Sequence, residues 1–140
     1  MIRIFLAVAA AMLLVAAVGC ERSTSPIPPP PPPPPPSGAV VSLMTPNAND
    51  GAVIITLSGP DLGTIQPADS HYVVYSRLAN SQEMRIIVLG DLVAGPVFSV
   101  RLSAPHAMSA YAGTVQQVAT RSDSILSGTA GYGVTISPAP

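Results

Sequence analysis

PNANDGAVIITLS, residues 46–58, sets six turn-forming positions ahead of seven strand-forming ones. In the second half, Val53, Ile55 and Leu57 fall on one face of an extended chain, because successive side chains of a strand point to opposite sides. The first half ends in Asp50-Gly51, a pair suited to a tight reversal between strands. Ala39–Thr45 precedes it as another β-rich run. Two strands around a turn are the local unit from which the rest of the region can be read.

Further along, His71–Leu78 (HYVVYSRL) and Glu83–Leu89 (EMRIIVL) form a second pair, linked by Ala79-Asn80-Ser81-Gln82. Gly95-Pro96 opens Val97–Leu102, where Phe98, Val100 and Leu102 alternate with Val97, Ser99 and Arg101, which puts Phe98 inside. In Tyr111–Thr120 the alternation is imperfect: Val115 and Val118 stand three apart, which asks for a bulge or a short helical turn. Ile125–Ile136 is read as a last strand, with Tyr132, Val134 and Ile136 on one face and a kink at Gly131 or Gly133. Leu62–Ser70 has room for a single helical turn, and no long helical period appears anywhere. Seven or eight short strands with turns between them predict an all-β fold, a small β-sandwich over residues 39–140, immunoglobulin-like or cohesin-like.

The segments NANDGAVIITLSGP (Asn47–Pro60) and GDLVAGPVFSVRL (Gly90–Leu102) resemble the sandwich of cohesins and carbohydrate-binding modules. In that family an early strand after a turn precedes a glycine-rich lead into a late apolar strand. The resemblance rests on strand order and glycine placement and implies a fold rather than a function.

Residues 1–20, MIRIFLAVAAAMLLVAAVGC, have a basic start (Arg3) and an unbroken apolar run from Ile4 to Val18. That is the layout of an export signal. As a helix the run spans about 22 Å, short of the roughly 30 Å hydrocarbon core. Its end, Ala17-Val18-Gly19-Cys20, resembles the bacterial lipobox, with Ala17 where leucine is usual. The resemblance implies cleavage between Gly19 and Cys20 and lipidation of the Cys20 thiol. Cys20 is the only cysteine, so no disulfide forms within the chain. A plain signal peptide and an uncleaved anchor are the alternatives. Two or more acyl chains hold a protein stably on a bilayer, at about 0.8 kcal/mol per buried CH₂. The expected location is exported and lipid-anchored to a membrane. Glu21 after the cysteine points to the outer membrane under the enterobacterial sorting rule.

Residues 20–38 carry Pro26 and nine consecutive prolines, Pro28–Pro36. Such a run has fixed φ and no backbone donors, so it favours polyproline II and reaches roughly 28 Å at about 3.1 Å per residue. A semi-rigid spacer is the reading this supports, ahead of a ligand for a proline-recognition module.

From Ala39 onward four arginines face six acids, so no basic patch exists to hold nucleic acid. His71 and His106 sit in unlike contexts, and with no cysteine nearby no zinc set is expected. Asn47, Asn49 and Asp50 suggest a calcium loop, but an EF-hand counted from Thr45 would need Gly and Glu where Asp50 and Thr56 stand. No nucleophile elbow, phosphate loop or dinucleotide fingerprint occurs, so no catalytic residue, cofactor or metal site is assigned and no enzyme is expected. The four tyrosines Tyr72, Tyr75, Tyr111 and Tyr132 are the only material for a sugar platform beside Phe98, since tryptophan is absent. The expected function is therefore a non-enzymatic cell-envelope lipoprotein that presents a sandwich for protein–protein contact or a structural role. The alternative is a carbohydrate-binding module displayed at the envelope, with a glycan as partner.

Overall fold

A computed structural model describes residues 29–32, 37–104 and 106–139. The chain divides into two compact units, Met1–Pro32 and Pro33–Pro140. The signal segment, Gly19, Cys20 and much of the proline tract lie outside the described residues; Pro29–Pro32 are exposed and in neither helix nor strand.

Eight strands build the second unit: β1 (Gly38–Met44), β2 (Asp50–Ser58), β3 (Leu62–Pro67), β4 (Val73–Asn80), β5 (Glu83–Leu92), β6 (Gly95–Leu102), β7 (Ala112–Thr120) and β8 (Gly133–Pro138). A single 3₁₀ turn, Met108–Ala110, precedes β7. The strands form two four-stranded antiparallel sheets, ordered β3-β6-β1-β8 and β4-β5-β2-β7. The fold is the all-β sandwich that the alternating runs predict.

Alternation decides which side of each strand is dry. Val53, Ile55 and Leu57 of β2 are fully buried, as are Ile86, Val88 and Leu92 of β5. Opposite them stand Ala39, Val41 and Leu43 of β1 and Phe98, Val100 and Leu102 of β6. Phe98 is the largest of the fully buried side chains. At about 25 cal/mol per Å² of apolar surface removed from water, this shared interior is what holds two sheets together.

Two irregularities place residues that strict alternation would misplace. Along β6, Phe98 pairs Val41 and Pro96 pairs Ser42, so Val97 is the extra residue of a bulge. Its side chain turns inward beside Phe98, fully buried, and its carbonyl accepts the Ala68 N–H at 3.1 Å. Along β7, Gln117 pairs Ile54 and Val115 pairs Ile55, which leaves Gln116 unpaired. That bulge brings Val115 and Val118 to the same face despite their spacing of three, as the imperfect alternation requires.

Three expectations are corrected. Leu62–Ser70 holds no helical turn; Leu62–Pro67 is β3, hydrogen-bonded to β6, because Leu62 and Ile65 pack on the core only from an extended chain. The last strand is Gly133–Pro138 and not Ile125–Ile136; Ile125 makes only an isolated bridge to Ala119. Between them Ser127–Tyr132 is a loop, in which Gly131 adopts a φ of 83°. The β4–β5 turn is also tighter than the four-residue link: Ser81-Gln82 alone reverse the chain, with the Asn80 side chain accepting the Gln82 N–H at 2.9 Å.

Phe98→Ala should lower stability by about 3–5 kcal/mol in urea unfolding, because the cavity lies where the two sheets meet. Ile125→Ala, at a side chain that is 66% exposed, should stay within about 0.5 kcal/mol of the parent.

Candidate functional site

The polar residues singled out in the sequence fall into separate local arrangements. Asp50 is completely buried, and its carboxyl group accepts the Tyr132 hydroxyl at 2.8 and 3.0 Å and the Thr45 hydroxyl as well. The Asn47 side-chain amide donates to the Tyr132 oxygen at 2.7 Å. This cluster ties the β1–β2 turn to the start of β8. A calcium loop would need the carboxyl turned towards a cation, and here it is engaged by hydroxyl donors within the protein. Among the described residues no group of three His, Cys, Asp or Glu side chains converges.

The histidines stay apart, each beside one aspartate. His71 Nδ1 lies 2.6 Å from Asp69, and His106 Nε2 lies 2.7 Å from Asp61. Asp69 is held below the usual carboxylate range first by the His71 backbone N–H and then by the His71 side chain. Tyr111 meets the His106 ring edge-on, but its own hydroxyl is buried with no hydrogen-bond partner. Gly59 makes this packing possible: at φ 154° it lies so close that a Cβ there would meet the Tyr111 ring at 2.2 Å. Of the tyrosines, Tyr111 is buried, Tyr72 and Tyr132 pack partly on the core, and Tyr75 stands 60% exposed. No two exposed tyrosines form a platform.

Tyr75 belongs to a different feature, the outward side of the β4-β5-β2-β7 sheet. With β2 and β5 fixed by their buried faces, the intervening residues must point to solvent. Ladder register then lines them up across the strands. Tyr75, Ile87, Ile54 and Gln117 form one row, and Val73, Leu89, Ala52 and Ala119 the next. Val73 is 49% exposed, Ile87 39% and Leu89 37%. Cross-strand neighbours on one face lie about 4.5–5.5 Å apart at Cβ, so these side chains touch as one apolar surface.

A third row continues it with Arg77, Arg85, Thr56 and Thr114. Arg77 and Arg85 are direct partners across the ladder, and both are exposed. Among the described residues no carboxylate comes within 4.0 Å of either guanidinium. Where the arginine row meets the apolar row, Ile54, Tyr75, Ser76, Arg77, Arg85 and Ile87 line a shallow cleft of about 400 Å³.

Reading the sequence alone missed this face. Its one visible trace is that Ile54-Ile55 and Ile86-Ile87 are apolar at both parities, more than a strand with a single dry side needs. Comparisons with family models, with curated proteins and with solved structures find no match.

The buried phenols carry a pH signature. Burial raises Tyr111, with Asp61's charge adding to it; burial raises Tyr132, with the hydrogen bond to Asp50 adding to it. A raised group stabilises fully below its unfolded value and loses that contribution as pH rises through the folded one. Stability should therefore fall above about pH 10, the ordinary tyrosine value. Tyr132→Phe should cost about 1–3 kcal/mol at neutral pH by removing a donor from a buried carboxyl. Tyr111→Phe should be neutral or stabilising there, and its alkaline loss shallower; thermal melts across pH check all three outcomes.

Proposed function

We propose that this chain is an exported lipoprotein, anchored through acyl chains on Cys20, that holds a β-sandwich away from a membrane on a proline spacer and contacts other envelope proteins through the outward β4-β5-β2-β7 face. The anchor is supported by the order of Arg3, the apolar run and Ala17-Val18-Gly19-Cys20, and by the absence of any second cysteine. The contact role is supported by one observation above the rest: a contiguous apolar surface across three strands, on a side of the sheet with no second layer among the described residues. Monomeric soluble proteins seldom leave such patches without a use.

Protein contact is favoured over sugar binding by the make-up of that face. Glycan platforms rely on paired aromatic rings, and Tyr75 is a lone ring among aliphatic side chains. Aliphatic surface rimmed by arginine is common at protein interfaces.

Two measurements test the two halves. Cys20→Ser should abolish metabolic labelling by a fatty-acid analogue, and retained labelling would refute the anchor. A photo-crosslinking residue at Ile87 should give discrete crosslinked species in the envelope, while one at Arg101, on the other sheet, should not. Equal yields from both positions, or none from either, would remove the contact role.

A further inference from the structure

The arginine row says what chemistry the face is built to meet; the inference rests on the contact role proposed above. Arg77 and Arg85 stand directly opposite on neighbouring strands, a like-charge pairing that works against the ladder. The unit around them is acidic, with four arginines against six acids from Ala39 onward. One of the four, Arg121, is neutralised by Asp91 at 2.9 Å, and Arg101 sits on the other sheet. The pair is thus an isolated cationic spot beside an apolar cleft.

We propose that the partner is a protein segment carrying an acidic side chain next to an apolar one. Its carboxylate seats between the Arg77 and Arg85 guanidinium groups, and its apolar neighbour fills the cleft between Tyr75, Ile87 and Ile54. Arginine forks bind carboxylates through two parallel N–H···O bonds, and a carboxylate shared by both removes their mutual repulsion. Apolar walls on one side exclude water and strengthen the charged contact. An anionic membrane is a poorer match: two arginines on a net acidic unit give little attraction to a charged bilayer, which draws in clusters of basic residues.

The test uses the full chain in detergent against an array of capped hexapeptides. Each peptide carries one Asp or Glu beside Leu, Ile or Phe, and each has an Asn or Gln counterpart. Acidic members should be retained about tenfold better than their amides, a difference of about 1.4 kcal/mol. Arg77→Gln and Arg85→Gln should each cut that preference severalfold and should melt no lower than the parent; a lower melt would show a structural role and overturn the proposal. Equal retention of acid and amide peptides, lost in Ile87→Ser, would refute the acidic partner while leaving the contact face standing. Retention of no peptide, or retention indifferent to Ile87→Ser, would remove both. Binding to phosphatidylglycerol vesicles with no peptide binding would give the face to a membrane and overturn the protein partner.

Discussion

The dry interface between the sheets determines where almost everything else in this domain can lie. Once Val53, Ile55 and Leu57 of β2 are set against the interior, along with Met84, Ile86 and Val88 of β5, the residues between them have only the outer side left. Ile87 and Leu89 are therefore exposed, and Ile54 half-buried, because their neighbours are buried. Moving either strand by one residue would exchange the two sets and empty the core. The apolar outer face is thus as firmly specified as the core itself, although no second layer covers it among the described residues of this unit.

The bulges have the same logic at smaller scale. Val97 joins Phe98 inside because one extra residue is accommodated on β6, and Gln116 is displaced so that Val115 and Val118 both reach the interior side. Polar groups that alternation cannot place are handled locally. Asp50 is buried among hydroxyl donors from two loops, and Tyr111 keeps its ring packed at the expense of an unpartnered hydroxyl. Burying a polar atom without a partner costs on the order of 1–3 kcal/mol, which the ring's apolar contacts offset.

How much of this was legible in the sequence follows from the same physics. β2, β5 and β6 announce themselves through period-two patterns, and the bulge in β7 through the broken spacing of Val115 and Val118. β3 does not, since only Leu62 and Ile65 are apolar and Gly63 and Pro67 read as breakers; it is a strand because β6 offers it an edge. The outer face was hidden for a different reason. A four-residue link between β4 and β5 leaves the register open by one residue, and that residue decides whether Arg77 meets Arg85. The Ser81-Gln82 reversal sets Asn80 opposite Glu83, and an extra residue at Ala79 then shifts the ladder so that Arg77 meets Arg85.

The position of β1 has a consequence for how the chain is made. β1 sits between β6 and β8, so the first strand of the sandwich is completed by the last. No early subset of strands closes the interior, and contacts so distant along the chain are slow to form. A nascent chain of this design stays open while it is being synthesised. On the export we propose, that delay would keep the polypeptide threadable through a translocation pore, and the sandwich would shut only after β8 had passed to the far side.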